Sequence, residues 1–271
     1  MKELLKVENL TVKHIENRKE TTIVEGVSFV VEAGRCIGIL GESGSGKSMT
    51  CKAIMGLLDK NINVTGKAIY DNKDLISESK ENLRKLRGKK ICMILQNPMT
   101  SFEPLSRIDK QMTETLAEHT NLSKREMEQK NIEVLEMMQI RNPEEVLKKY
   151  PHQLSGGMLQ RIMIGISLVL EPDLIIADEP TTAIDAITQY EIVNEFIKIK
   201  EKNKVGIIFI SHDLSVINKV ADEVIVIEKG KIVDKGSVDY IFKEAKNEYT
   251  KNLIDKKMAV MKRFQKIINN T

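Results

Sequence analysis

A glycine-rich segment near residue 41 has the residue types and spacing of a phosphate-binding loop. It fits the pattern G-x-x-x-x-G-K-[ST] in full and follows the apolar segment 36–40. Glycines let successive backbone N–H groups turn toward phosphate oxygens, and the positive end of the following helix adds to the attraction. We expect Lys47 to reach the β- and γ-phosphates of a nucleoside triphosphate and Ser48 to bind Mg²⁺. This phosphate loop comprises Gly41, Glu42, Ser43, Gly44, Ser45, Gly46, Lys47 and Ser48.

The alternative for this segment is a glycine-rich surface turn that fits the pattern by coincidence. The predicted strand before it and the predicted helix after it favour the phosphate loop, because the motif requires that context.

A second segment, LIIADE at residues 174–179, supplies two adjacent carboxylates. Its four apolar residues predict a buried strand. Asp178 then emerges at the strand end, where it can hold Mg²⁺ directly or through water. Glu179 follows and can polarise the attacking water. Alone, such a pair could equally be a solvated strand end, but beside a complete phosphate loop it predicts a site for phosphate-ester hydrolysis.

The elements that must position these residues alternate between strand and helix, which predicts a parallel α/β architecture. Between about 106 and 150 the pattern changes to Glu, Lys, Met and Leu at helical spacing, which indicates a helical insertion. The predicted strands are 4–12, 23–31, 36–40, 64–70, 91–95, 174–177, 205–210 and 224–227. The predicted helices outside the insertion are 46–58, 186–203 and 213–221.

The domain organisation that we predict is one nucleotide-binding domain over 1–250, with a helical subdomain inserted at about 97–165, and a C-terminal tail over 251–271. An amphipathic stripe leads into and through this tail, and a helix packed on the domain is the simpler interpretation. A partner-binding or membrane-surface helix is the alternative. The stripe consists of Tyr249, Leu253, Val260, Phe264 and Ile267.

The composition of the 271 residues is that of an ordinary soluble protein, with 41% hydrophobic and 30% charged residues. The 42 basic and 39 acidic residues leave a net charge of +3, which gives no general argument for nucleic acid or an anionic membrane as partner. The charged first residues do not fit a signal peptide. The longest apolar run, 162–170, is too short to span a bilayer, so we expect any membrane role to act through a partner.

The three cysteines, Cys36, Cys51 and Cys92, lack C-x-x-C spacing. This pattern predicts reduced, partly buried thiols and a cytoplasmic location, rather than a disulfide framework or a metal site.

The segment from Leu154 to Met158, LSGGM, resembles the signature of ABC-transporter ATPases, and the flanking HQ and LQR strengthen the match. By itself the segment predicts a helix start, with Ser155 as N-cap and exposed N–H groups that can bind an anion. A simple helix cap is the alternative. The resemblance implies that Ser155, Gly156 and Gly157 contact nucleotide held by a second cassette.

Further positions match this family individually. Gln96, after the strand ICMIL, is similar to the glutamine that contacts Mg²⁺ and the attacking water. Asp185 in TTAID resembles the D-loop aspartate, and His212 in ISHD resembles the switch histidine of the γ-phosphate. His14 stands where the family usually has an aromatic residue stacked on adenine. Because imidazole has less stacking area than tyrosine, we expect modest discrimination between ATP and GTP.

The resemblance implies a P-loop NTPase ABC cassette, with a RecA-like core, an antiparallel β subdomain and a helical subdomain. It also implies ATP hydrolysis by two cassettes together. The expected partners are a second ABC ATPase subunit, in a heterodimer rather than a homodimer, two membrane permease subunits, and an extracytoplasmic substrate-binding protein. The expected location is the cytoplasmic face of the membrane, with peripheral attachment through the permeases. No nucleic-acid partner is expected.

Finer features resemble the ATPases of oligopeptide, dipeptide and nickel importers. Residues 96–104, QNPMTSFEP, are similar to the Q-P-x-T-S-x-x-P segment of that group, and SGGMLQR is nearest to its nickel or opine-metallophore branch, which includes staphylopine importers. The C-terminal IFKEAKNEYTKNLI lacks the Pro and His-Pro of the group's usual ending. Since no cysteine follows Cys92, we expect no iron–sulfur centre.

Two other functional classes are alternatives to transport. A soluble ABC ATPase that acts on DNA or the ribosome would carry a long coiled-coil insertion or a second cassette, and neither is evident in the sequence. A catalytically inactive regulator is disfavoured because each expected reacting residue is present.

Overall fold

Residues 2–17, 19–182, 184–256 and 258 are described by a computed structural model. The chain divides into two compact units. The first unit contains Met1–Leu83 and Gly206–Thr271, and the second contains Arg84–Val205. Within the described ranges, no helix has both the length and the apolar character needed to cross a membrane.

An antiparallel sheet forms one part of the first unit. Its strands are β1 (Glu3–Glu16), β2 (Lys19–Glu32), β4 (Ile62–Tyr70) and β5 (Lys73–Asp74), in the order β2-β1-β4-β5. Alternate residues of β1 are buried until Asn9, whose φ of 49° accompanies a shift in register with both neighbouring strands. Because the extra residue restores the alternation, Leu10 and Val12 return to the buried face.

The second sheet of this unit leads into the phosphate loop. Its strands are β3 (Cys36–Leu40), β8 (Gly206–Ile210), β9 (Glu223–Glu228) and β10 (Lys231–Ser237), in the order β10-β9-β3-β8. β3 pairs in parallel with β8 and β9, whereas β10 is antiparallel to β9. Every residue of β3 and β8 is buried, as expected for parallel strands that are covered on both faces.

Two helices are associated with this sheet, α1 (Lys47–Ile54) and α8 (Leu214–Val220). α8 lies close to β3, since a Cβ atom at Gly38 would be 3.1 Å from Ile217 Cγ2. The prediction that the helix after the phosphate loop continues to about residue 58 is wrong. α1 ends at Ile54 because Gly56 adopts a left-handed conformation, with φ of 60°, that closes the helix.

The second unit combines a parallel strand pair with helices. β6 (Ile91–Ile94) pairs in parallel with β7 (Leu174–Asp178), whose residues are all buried. The boundary between the units falls within α2 (Lys80–Leu86). The remaining helices are α3 (Ile108–His119), α4 (Lys124–Met137), α5 (Pro143–Leu147), α6 (Gly156–Val169) and α7 (Ala186–Asn203).

The predicted helical insertion at about 97–165 lies inside this second unit, which also contains β6, β7 and α7. The limits of a separate subdomain stay a prediction. Within the unit, α4 and α6 pack closely at Gly165, where a Cβ atom would be 2.7 Å from Val134 Cγ1. The short elements α2, β5 and β10 were not predicted.

After β10 the first unit continues through a π-helical turn (Tyr240–Glu244) to a C-terminal helix, residues 248–256. Leu253 and Ile254 of this helix are buried. The other predicted stripe positions Val260, Phe264 and Ile267 lie outside the described residues.

The three cysteines are buried, more completely than the predicted partly buried thiols. Burial raises the pKa of the Cys92 thiol to about 12, so this group is protonated near neutral pH.

Candidate functional site

The phosphate loop, residues 41–48, connects the buried end of β3 to the start of α1. A Cβ atom at Gly41 would lie 2.3 Å from the carbonyl oxygen of Ile227 and 2.5 Å from Ser45 Oγ, so only glycine fits there. Gly46 has φ of 107° at the N-cap of α1, a conformation that side chains disfavour. The two glycines are therefore required for different reasons, close approach at Gly41 and backbone conformation at Gly46.

Lys47 is buried within its own loop. Its Nζ donates to the carbonyl oxygens of Gly41, at 3.1 Å, and Glu42, at 2.8 Å. These acceptors are neutral, and an anionic phosphate oxygen accepts a stronger hydrogen bond from an ammonium group. The phosphate oxygens of a bound triphosphate can thus replace the two loop carbonyls as acceptors of the Lys47 ammonium group.

Ser45 provides a second sign that the loop is built for a ligand. Its side chain is 6% exposed, and its Oγ has no hydrogen-bond partner among the residues that the structure describes. An unsatisfied buried hydroxyl is costly, and a ligand oxygen would satisfy it. Ser43 and Gly44 are exposed and Ser48 is half-buried. A ligand can therefore reach the loop from solvent, although Lys47 itself is buried.

The second unit brings Gln96 and Glu179 together. Gln96 Nε2 donates to Glu179 Oε2 at 3.3 Å, and the hydroxyl of Thr182 donates to the same oxygen at 3.2 Å. Glu179 itself has φ of 48°, which is uncommon outside glycine and asparagine. Two donors and this backbone turn fix the direction of a carboxylate that could polarise water.

Asp178 and Asp185 flank this carboxylate in the sequence and occupy different environments. Asp178 is the last residue of β7 and is 3% exposed. Asp185 is exposed and caps α7, with its carboxylate accepting from Thr188 N at 3.0 Å. That hydrogen bond lowers the pKa of Asp185, because it stabilises the ionised carboxylate.

The signature segment forms the N-terminus of α6, as predicted. Ser155 caps the helix, and its Oγ accepts from Met158 N at 3.3 Å. A Cβ atom at Gly156 would meet nothing within 4 Å, so the backbone at this helix start is open on that side. Gly157 follows in the first turn, where backbone N–H groups have no helical partner and are available to an anion.

The two histidines assigned to nucleotide contact belong to the first unit. His212 follows β8 and is exposed, next to Asp213, which caps α8 by accepting from Ser215 N at 2.8 Å. His14 is half-buried on β1, and its Nε2 accepts from Asn61 Nδ2 at 2.8 Å. The phosphate loop is also in this unit, whereas Gln96, Asp178, Glu179, Asp185 and the signature segment are in the second.

Three side chains near these motifs were not predicted to take part. Thr182 contacts Glu179 and lies within the TTAID segment, so its hydroxyl, three residues after Glu179, could have been identified from the sequence. Gln160 is buried in α6 and its Nε2 donates to the carbonyl oxygen of Leu95 at 3.4 Å, one residue before Gln96. Tyr249 of the C-terminal helix accepts a hydrogen bond from Glu42 N in the phosphate loop. No local spacing signals the last two contacts.

Comparison with protein families gives a match over residues 24–182 to the family described as ABC transporter. Among individual proteins, the ATP-binding protein CntD of the metal-staphylopine import system of Staphylococcus aureus is 43% identical, over 96% of this chain and 97% of that protein. The oligopeptide transport ATP-binding protein AppD of Bacillus subtilis is 40% identical, over 94% of this chain and 78% of that protein.

A solved structure has a similar fold. A dimeric ATP-binding cassette in a post-hydrolysis state, bound to ADP and phosphate, superposes with a TM-score of 0.79 at 25% identity. The superposition covers 87% of this chain and 99% of that structure.

Proposed function

This chain belongs to the ABC transporter family, and on that premise we propose that it drives import of metal–metallophore complexes. The fold is an ABC cassette of the P-loop NTPase type, and the chain is an ATP-hydrolysing motor subunit of an importer. Relatives that are named as import or transport ATP-binding proteins favour transport over an action on DNA or the ribosome.

The observation that carries the proposed cargo is the extent of the similarity to CntD. The match spans almost the full length of both chains, at 43% identity. The oligopeptide relatives AppD of Bacillus subtilis and OppD of Lactococcus lactis have slightly lower identities, of 40% and 42%. A peptide importer is the second candidate, supported by those identities of 40% and 42%.

Uptake in the host organism tests the cargo. We expect deletion of the gene to abolish accumulation of nickel supplied as its opine-metallophore complex, and a wild-type copy to restore it. A copy with Lys47→Ala, which cannot grip phosphate, should not restore uptake. Loss of labelled oligopeptide uptake with normal nickel accumulation would instead identify a peptide importer.

The proposed chemistry assigns one task to each residue. Lys47 exchanges its loop carbonyls for the β- and γ-phosphate oxygens. Glu179, oriented by Gln96 and Thr182, accepts a proton from the attacking water. His212 contacts the γ-phosphate, and His14 stacks on the base.

Mg²⁺ is the proposed cofactor, held by Ser48, Gln96 and Asp178. Hydroxyl, amide and carboxylate oxygens are the hard donors that this ion prefers. When bound, Mg²⁺ supplies positive charge that neutralises the phosphate oxygens as the bond to the γ-phosphate breaks.

The proposed assembly contains two cassettes. The sequence has one phosphate loop and one signature segment, and the similar cassette of solved structure is dimeric. We assign Ser155, Gly156, Gly157 and Asp185 to contacts with nucleotide bound by the partner cassette. The partner is a second ABC ATPase, and the pair attaches to two permeases at the cytoplasmic face of the membrane. A substrate-binding protein delivers the cargo from outside.

A further inference from the structure

The second residue of the phosphate loop is bound by a residue that is 207 positions away in the sequence. The backbone N–H of Glu42 donates to the hydroxyl of Tyr249 at 3.0 Å. Both residues belong to the first unit. The C-terminal helix, residues 248–256, therefore contacts the nucleotide-binding loop directly.

Tyr249 is held firmly enough to orient this bond. Asn247 Oδ1 accepts from the backbone N–H groups of Tyr249, at 2.9 Å, and Thr250, at 3.2 Å, which caps the start of the helix. One turn later, Leu253 and Ile254 are 4% and 6% exposed and anchor the helix to the unit. Burial raises the pKa of Tyr249 further above neutral pH, and the oxygen of the neutral hydroxyl can accept from an N–H group.

The bond acts on the peptide group that joins Gly41 to Glu42. A peptide group is rigid and planar, so its N–H and its carbonyl oxygen have a fixed relation. In this group the N–H donates to Tyr249 and the carbonyl oxygen, that of Gly41, accepts from Lys47 Nζ at 3.1 Å. The hydroxyl of Tyr249 therefore fixes the orientation of the first peptide group of the phosphate loop, whose carbonyl oxygen accepts from Lys47 before phosphate replaces it.

A second contact joins the same two segments. Lys256 Nζ lies 3.7 Å from Glu42 Oε1, but both side chains are largely exposed, at 74% and 59%. Solvent screens such a pair strongly, so it contributes little by comparison with the hydroxyl–amide bond.

We propose that Tyr249 is a positioning residue for nucleotide binding, which acts through the Gly41–Glu42 peptide group on the conformation of the phosphate loop. The inference rests on the proposed binding of ATP by the phosphate loop. It gives the C-terminal helix a defined task, to hold the loop in the conformation that receives phosphate. Changes in the packing of this helix should then alter affinity for nucleotide.

The test uses Tyr249→Phe in the full chain, which keeps the ring and removes only the acceptor. Losing one hydrogen bond should raise the Kd for ATP by about 3- to 10-fold. The rate at saturating ATP, measured with the companion ATPase, should stay nearly unchanged, because Glu179 is untouched. The matched control is Tyr240→Phe, at a tyrosine that packs on Gly236 in the same unit, and it should leave the Kd unchanged.

A second measurement does not depend on nucleotide. Amide hydrogen exchange at Glu42, followed by NMR without ATP, should be faster in Tyr249→Phe than in the wild type and unaffected in Tyr240→Phe. Asn247→Ala, which removes the acceptor of the Tyr249 and Thr250 amides, should shift both the exchange and the Kd in the same direction. It provides a second variant should Tyr249→Phe fail to fold.

The outcomes separate this inference from the proposed function. If the wild-type chain does not bind ATP, the proposed function fails, whereas the exchange data still report on the hydrogen bond. If ATP binds and Tyr249→Phe changes neither the Kd nor the exchange at Glu42, the positioning role is wrong. A higher Kd for ATP without faster amide exchange at Glu42 would also overturn it, since the loss of affinity would then not result from the loss of this hydrogen bond.

Discussion

The carboxylate proposed as the catalytic base is held in place by two neighbouring side chains. Glu179 has a left-handed backbone conformation and accepts hydrogen bonds from Gln96 and Thr182. Such an arrangement directs the carboxylate without neutralising it, because an amide and a hydroxyl are neutral donors. Its assignment as the base that activates water can be tested by removing only the charge.

Glu179→Gln should reduce steady-state ATP hydrolysis by about 100-fold or more, because an amide cannot accept the proton from water. The Kd for ATP should be nearly unchanged, since the phosphate loop is intact. Phosphate release and equilibrium binding measure the two effects. Glu201→Gln, at an exposed acid of α7, is the control and should behave as the wild type. Undiminished hydrolysis in Glu179→Gln would show that another group is the base.

His14 is predicted to stack on the base through a ring that also bonds to Asn61. We expect only modest discrimination between ATP and GTP. Since a phenyl ring has more stacking area, His14→Phe should lower the Kd for ATP by roughly 3-fold. Competition between the two nucleotides measures both quantities. A large preference for ATP that persists in His14→Ala would refute the stacking role.

Among the elements, α6 begins at a residue with two proposed roles, because Ser155 both caps the helix and belongs to the signature segment. Ser155 caps this helix through Met158 N, and Ser123 caps α4 in the same way through Glu126 N. The two serine hydroxyls make the same kind of bond, although at α4 the Glu126 side chain also accepts from Ser123 N, and the signature segment belongs to α6 alone. Comparing substitutions of Ser155 and Ser123 therefore distinguishes the loss of a helix cap from the loss of a contact with nucleotide.

Ser155→Ala and Ser123→Ala should each lower the free energy of unfolding by about 1 kcal/mol, the usual contribution of a serine cap. Urea denaturation measures that loss. With the companion ATPase present, ATP hydrolysis should fall in Ser155→Ala and remain normal in Ser123→Ala. Equal activity in both variants would mean that Ser155 serves only as a cap.

At the scale of the whole molecule, the proposed site needs a second cassette, because we assign the phosphate loop and the signature segment of one chain to different nucleotides. Binding of ATP should close the pair, and hydrolysis should open it. A variant that binds ATP without hydrolysing it is therefore expected to stay closed.

Glu179→Gln, mixed with its companion ATPase and with ATP and Mg²⁺, should elute as a stable dimer in size-exclusion chromatography. Adding Lys47→Ala to the same chain should abolish the dimer, because nucleotide no longer holds the interface. A mixture that remains monomeric although ATP is bound to Glu179→Gln would contradict the two-cassette arrangement.

Much of this protein was readable from short stretches of sequence. The phosphate loop, the Ser155 cap, β3 at residues 36–40 and α7 at residues 186–203 were predicted within a residue or matched, because neighbouring residues set their conformation. The end of α1 is also set by a nearby residue, since Gly56 terminates the helix. The predicted end at about residue 58 was wrong because the effect of this glycine was missed.

Only the tertiary structure decided which distant groups meet. The Gln96–Glu179 bond joins positions 83 apart and the Glu42–Tyr249 bond joins positions 207 apart, and no spacing rule connects such pairs. The bulge at Asn9 and the antiparallel β10 depend likewise on neighbouring strands. The sequence alone determined the chemistry of the motifs because their geometry is local, whereas the supports of that chemistry arise from packing between segments that are remote in the chain.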